Sequence, residues 1–199
     1  NSVGKVIPER YMNRTVKPYQ GPWAYAKAIP NHPGKYPGIP ASEKLVKSID
    51  DVLDALKLQS GMTISFHHAL RNGDDVMRMV IEAAARKGLK GLKIAASSIS
   101  AVQDCILPHL ESGVVTALDT SGIRGKIGDY VKSGRLSEPI MVRSHGGRAR
   151  AIETGELHID VAFVAAPTCD TQGNINGVEG PSACGSLGYA MVDAAHADQ

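Results

Sequence analysis

No apolar run in this chain reaches the length of a membrane-spanning helix. The first residues, Asn1 to Arg10, lack the apolar core of a secretory signal. A cytoplasmic protein with no membrane partner is therefore expected. Aromatic residues are scarce at 5%, and net charge is only +2. Base-stacking platforms and a general basic field are both missing, which excludes nucleic acid as a partner. The three cysteines, Cys105, Cys169 and Cys184, are odd in number and show no C-x-x-C spacing. Neither a disulfide frame nor a zinc site is implied. Buried thiols in a reducing compartment are expected, with Cys169, beside Asp170, the one fair candidate for a reactive thiol. No strand is followed by G-x-G-x-x-G, and no complete G-x-x-x-x-G-K-[ST] string occurs, so the common dinucleotide and triphosphate sites are absent.

What is present divides near residue 42. Seven of the eleven prolines fall in the first forty residues. Proline fixes φ and removes a donor, so residues 1–41 read as a proline-rich arm without long regular elements. Trp23, Tyr19, Tyr25 and Tyr36 suggest that the arm lies on a protein surface. Residues 42–199 read as one α/β domain. Ser42 is expected to open a helix running to about Leu58. Strands are expected at Met62–Phe66, Leu92–Ala95, Val114–Leu118, Pro139–Val142 and Ile159–Ala165. Helices are expected from Asp74–Asp75 to Gly88, from Ser98 or Ser100 toward Leu110, at Gly125–Val131, at Ala149–Glu153 and around Leu187–Ala195. Apolar strands alternating with helices imply a mostly parallel sheet with helices on both faces.

Ligands of such sheets bind beyond the carboxyl ends of the strands. Five polar segments fall there. His67, His68, Arg71 and Gly73 follow the first strand, and Ser97–Ser98 the second. Ser121, Gly122 and Arg124 follow the third, Ser144-His145-Gly146-Gly147-Arg148 the fourth, and Asp170, Gly173 and Asn174 the fifth. Adjacent His67 and His68 point to opposite faces of an extended chain, which makes them poor joint metal ligands; no metal is expected. Gly146 and Gly147 let backbone N–H groups approach an oxyanion, and an arginine forks onto a carboxylate. The bland alternatives are a tight turn with a helix cap at Ser144–Arg148 and an Asx turn at Asp170.

Several strings carry a resemblance. Gly61-Met62-Thr63-Ile64-Ser65-Phe66-His67-His68, Arg71-Asn72-Gly73-Asp74 and Ser121-Gly122-Ile123-Arg124-Gly125 are three of them. Ser144-His145-Gly146-Gly147-Arg148-Ala149-Arg150, Gly155 to Phe163, and Ser182 to Ala190 are the others. Together they resemble the alpha subunits of bacterial citrate lyases, which are citrate CoA-transferases. Asp170-Thr171-Gln172-Gly173-Asn174 also resembles a turn found more widely in CoA-transferases. The resemblance implies a CoA-transferase-like fold of two similar domains. It implies exchange of acetyl for citrate on a thioester carrier, giving citryl thioester and acetate. The carrier would be an acyl-carrier (gamma) subunit bearing a CoA-like phosphopantetheine group, and a beta subunit would cleave the product. A ternary complex and a mixed anhydride are implied, without a glutamyl thioester. The subunit would be a homo-oligomer within the lyase complex.

On the same basis His67, His68, Arg71, Ser144, His145, Gly146, Gly147 and Arg148 are expected to meet citrate. Ser121, Gly122, Arg124, Asp170, Gly173 and Asn174 are expected as thioester or loop contacts. Catalytic residues stay unassigned, because the resemblance places them in a second domain beyond Gln199. Two other readings are another carboxylate CoA-transferase and a non-catalytic scaffold piece of the complex.

Overall fold

A computed structural model describes residues 9–11, 14–15, 44–67 and 75–199. The chain divides into two units, residues 1–30 and 31–199. In the first, β1 (Arg10–Tyr11) and β2 (Arg14–Thr15) pair antiparallel.

The second unit is built on a five-stranded sheet. Its members are β3 (Thr63–His67), β4 (Leu92–Ala96), β5 (Val115–Thr120), β6 (Met141–Val142) and β7 (Val161–Val164). Their order is β6-β5-β4-β3-β7, and every pairing is parallel. A hairpin of β8 (Thr168–Cys169) and β9 (Ile175–Asn176) follows.

Side chains alternate across the sheet, so each register row belongs to one face. The rows Ile64–Ile94–Leu118 and Phe66–Ala96–Thr120 face the larger core, where the Phe66 and Phe163 rings stack at 5.5 Å. That core is closed by α1 (Ile49–Ala55), α2 (Val76–Arg86), a 3-10 turn (Ala101–Ile106), α3 (Leu107–Glu111) and α4 (Gly125–Lys132). The row Ser65–Ala95–Asp119 with Ala162 faces the other way. Ala151, Ile152 and Leu157 of α5 (His145–Glu153) and its exit cover that face, with Val192 of α6 (Ala190–His196). The parallel sheet with helices on both faces is the expected architecture.

Two helix starts differ from the sequence expectation, and at another the structure selects one of the two starts expected. The first helix begins at Ile49, because Ser48, not Ser42, caps it: its hydroxyl accepts from the Asp51 N–H at 3.2 Å. Ser42 lies outside the described residues, and Leu45 and Val46 are exposed, so no buried face extends the helix backward. Ser100, rather than Ser98, opens the next helical stretch through a reciprocal capping box with Gln103, and its first turns are 3-10. The helix expected at Ala149–Glu153 starts four residues earlier, at His145. Asp75 precedes α2 as expected, but its carboxylate pairs with Arg78 instead of the helix N–H groups; Asp74 lies outside the described residues. The three cysteines are exposed, not buried. Cys105 donates to the Val102 carbonyl at 3.6 Å, and partial burial pushes its thiol pKa up, away from nucleophilic use.

Candidate functional site

From β3 the chain steps outward through β4 and β5 to β6, then returns to lay β7 on the other side of β3. Strand order reverses between β3 and β7, and the carboxyl ends at such a reversal are where ligands of open parallel sheets bind. His67, the last residue of β3, stands opposite Val164 at that point and is 8% exposed.

The Tyr189 ring links His67 to His145. The Tyr189 ring lies 6.1 Å from that of His67, edge-on, and 5.5 Å from that of His145. Backbone passes close beside them: a Cβ placed on Gly188 would sit 4.0 Å from His67 Nε2. His145 is the first residue of α5, so the helix N-terminus opens at this cluster. Ser144 is its cap, accepting from the Gly147 N–H at 3.0 Å. Its carbonyl accepts from the Arg148 N–H at 2.8 Å. The N–H groups of His145 and Gly146 are among those an α-helix leaves without an intrahelical acceptor. Together with the helix dipole they favour an anion.

Of the expected citrate contacts, His67, Ser144, His145 and Gly146 thus converge on one spot. Gly147 sits beside them, but its N–H is committed to the Ser144 cap. His68 and Arg71 lie outside the described residues.

Arg148 is a correction. Its side chain turns inward and is 1% exposed. Nη1 and Nη2 fork onto Asp193 of α6 at 3.2 and 2.9 Å, and Nη2 also donates to Ser65 Oγ at 2.6 Å. A guanidinium so occupied is not a free fork for citrate, because leaving would strand the buried Asp193 carboxylate.

A second arginine that the sequence reading passed over secures the approach to α5. Arg143 Nε bridges both oxygens of the fully buried Asp119 at 3.0 and 3.1 Å, and Nη1 reaches Glu156 at 2.6 Å. Arg150 joins Glu156 at 2.8 Å. The Arg143 hydrogen bond holds the Glu156 carboxyl below its ordinary pKa, and Glu156 in turn raises that of Arg143.

The loop after β5 is zipped to the loop after β4. Ile99 N–H donates to the Gly122 carbonyl at 2.8 Å, and Arg124 N–H to the Ile99 carbonyl at 3.0 Å. Gly122 N–H is held by Thr120 Oγ1, and Arg124 projects as an exposed residue before α4. Ser121 Oγ is buried with no hydrogen-bond partner among the described residues.

Asp170, Gly173 and Asn174 form the exposed turn of the β8–β9 hairpin. Asp170 Oδ1 accepts from the Gln172 and Asn174 N–H groups, and Oδ2 from Asn174 Nδ2, each at 2.8 Å. The Asx turn therefore occupies the carboxylate. An open cavity of about 310 Å³ beside it is lined by Cys169, Asp170, Asn174 and Glu179, among others.

Asn174, followed by the neighbouring backbone donors, lowers the Asp170 pKa. A folded-state pKa below the unfolded one means a stabilising contribution that is present above the unfolded value. It is lost as pH falls through the folded one. The Gln172 and Asn174 amide resonances should accordingly stay fixed from neutral pH down to the ordinary carboxylate range and move only below it. Movement near pH 6 would contradict this.

Among the described residues, His158, Asp160 and Asp198 bring ligand-type atoms within 4.8 Å of one another. They lie at the amino ends of the strands, where Asp160 accepts from the Thr63 N–H at 2.7 Å and His158 meets Asp198 at 3.0 Å. No helix among the described residues is long and apolar enough to cross a membrane.

Residues 42–199 match the family model for the citrate lyase alpha subunit. The citrate lyase alpha chain of Haemophilus influenzae is 45% identical over 82% of this chain and 35% of its own length. That of Escherichia coli is 46% identical over 78% of this chain and 31% of its own length. The crystal structure of the alpha subunit of citrate lyase from Streptococcus mutans, in complex with citrate, superposes with a TM-score of 0.78. It shows 49% identity over 82% of this chain and 32% of that one. The chain spans about a third of the length of the relatives it matches.

Proposed function

The chain belongs to the citrate lyase alpha-subunit family, and on that premise we propose that it forms the citrate-facing wall of a citrate CoA-transferase. The reaction exchanges acyl groups: an acetyl thioester and citrate give a citryl thioester and acetate. The thioester arrives as substrate, on the phosphopantetheine arm of an acyl-carrier subunit or on CoA. A beta subunit then cleaves the citryl thioester. Residues 1–41 serve as an arm and 42–199 as the first α/β domain of a homo-oligomeric, cytoplasmic subunit.

The observation that carries this reading is the placement of His67, His145 and Tyr189 around the α5 N-terminus, at the reversal of strand order. A relative at 49% identity holds citrate. Citrate brings three carboxylates, and acyl transfer passes through oxyanions. Backbone N–H groups and a helix N-terminus answer both needs without a strong internal base. His67, His145 and Tyr189 ring the anion, the His145 and Gly146 N–H groups donate to it, and Ser121 follows β5, two strands away from β3. His68 and Arg71 follow His67 in sequence and are assigned to the same citrate contact, Arg71 with its positive charge. Arg124 and the Asp170–Asn174 hairpin belong to the side the thioester approaches.

Gly146 separates fold from function. A Cβ there would meet nothing within 4 Å, so the fold does not require glycine. Alanine in a helix is more stable than glycine by roughly 0.5–1 kcal/mol. In the full-length protein, Gly146→Ala should keep or raise the thermal midpoint yet raise the Michaelis constant for citrate at least fivefold. The added methyl would occupy the space where a carboxylate approaches the backbone. Unchanged citrate kinetics would remove Gly146 from the site.

A further inference from the structure

Directly beneath the three ring residues lies a buried polar group that the transfer reaction does not touch. Ser65, Arg148 and Asp193 are 0%, 1% and 0% exposed. The Arg148 guanidinium holds both Asp193 oxygens and the Ser65 hydroxyl, its Nη2 reaches toward the Ala95 carbonyl at 3.4 Å, and Ser65 donates to Asp193 Oδ1. The three belong to α5, α6 and β3, elements with no chain continuity here: Ser65 and Asp193 are 128 residues apart, Arg148 and Asp193 45.

Each member stands one repeat below a site ring on its own element. Arg148 is one helical turn after His145, Asp193 one turn after Tyr189, and Ser65 one same-face position before His67. Asp193 N–H also donates to the Tyr189 carbonyl at 3.2 Å. We infer that Ser65, Arg148 and Asp193 are positioning residues that set the spacing of His67, His145 and Tyr189.

Two physical points support this. A buried ion pair is weak as a source of stability, since apolar residues of similar volume fill such a space equally well; what it supplies is directional, fixed geometry. The pair is also neutral overall, so it adds no attraction for an anion. Its contribution is placement, and a displacement of about 1 Å in a binding constellation is costly.

The inference rests on the citrate reading of this edge, but it can be tested apart from it. The variant is Arg148→Met/Asp193→Leu in the full-length protein, which removes both charges together and keeps the volume. Two readouts apply. Citrate affinity by calorimetry should fall at least tenfold while the thermal midpoint stays within a few degrees. Without ligand, the ring-current shift that Tyr189 imposes on the His145 C2 proton should be lost, with His109 unchanged as a distant reference. A stable double variant that keeps both affinity and shift overturns the inference. If the double variant does not fold, Ser65→Ala, which removes one hydroxyl, takes its place. It should raise the Michaelis constant for citrate severalfold, leave that for acetyl-CoA unchanged and reduce the His145 shift; no change in either overturns the inference. Absence of citrate binding by the unaltered protein would instead refute the citrate reading, and the His145 shift would still decide the positioning role.

Discussion

Asp193→Ala is expected to lower the free energy of unfolding by about 3–5 kcal/mol, enough to consume much of the stability of an ordinary domain. The cause is not a lost attraction alone. The substitution leaves the Arg148 guanidinium, 1% exposed, with its charge buried and Ser65 as its nearest remaining side-chain partner. Its Nε already lacks an acceptor among the described residues, so little compensation is at hand. Urea unfolding measures the effect. A loss under about 1 kcal/mol would mean that water reaches the guanidinium, and that the pair is less buried than it stands here. Exposed pairs give the contrast. Arg86–Asp50 joins two half-exposed side chains at 2.8 Å, and its removal should change stability by no more than about 1 kcal/mol.

Gly125→Ala should cost about 2–5 kcal/mol from two sources that can be separated. Gly125 opens α4 with φ of +71°, where a side chain costs roughly 1–2 kcal/mol. A Cβ there would also lie 2.6 Å from Asp104 Oδ1 and 2.9 Å from Ala101 Cα. Asp104 cannot simply retreat, because its Oδ1 caps α4 by accepting from the Ile127 N–H at 3.2 Å. Crowding a packed site of this kind adds about 1–3 kcal/mol. Gly134 is the control, with φ of +72° and open space where its Cβ would go. Gly134→Ala should therefore show the backbone cost alone. Equal losses at the two positions would dismiss the steric part of the account.

The sheet was legible in the sequence because its information is local. Ile64, Phe66, Ile94 and Leu118 sit in short apolar runs, glycines such as Gly88 and Gly113 close the helices, and the polar loops identify the working edge. Register within Ser144–Arg148 was legible only in part. Two adjacent glycines favour a loop on propensity, and tertiary anchoring overrode it: the Ser144 cap and the buried Arg148 extend α5 back to His145. The role of Arg148 was out of reach, because its partners come from β3 and α6, and periodicity carries no information about contacts at that separation. Tyr189 was overlooked for a similar reason. It lies in the Ser182–Ala190 string and in the helix expected around Leu187–Ala195, and its meaning lies in the two histidines it meets. The exposed cysteines show the limit of composition, since a residue type that is usually buried can still occupy an outer turn.

The order β6-β5-β4-β3-β7 also carries a consequence for how the protein acquires its structure. Strands β3, β4 and β5 pair with near neighbours in sequence, so their contacts close short loops. Strand β7 must return to β3 across a long one: Asp160 and Thr63, which meet at its start, are 97 residues apart. Loop-closure entropy makes such pairing slow, and the α6 contact with Ser65 is more distant still. In refolding, hydrogen-exchange protection should therefore appear in β4 and β5 before β7 and α6. The carboxyl ends of β3 and β7 would be the last part of the domain to take shape, so a kinetic intermediate would hold the larger core without Val161 and Phe163 and still be unable to hold an anion.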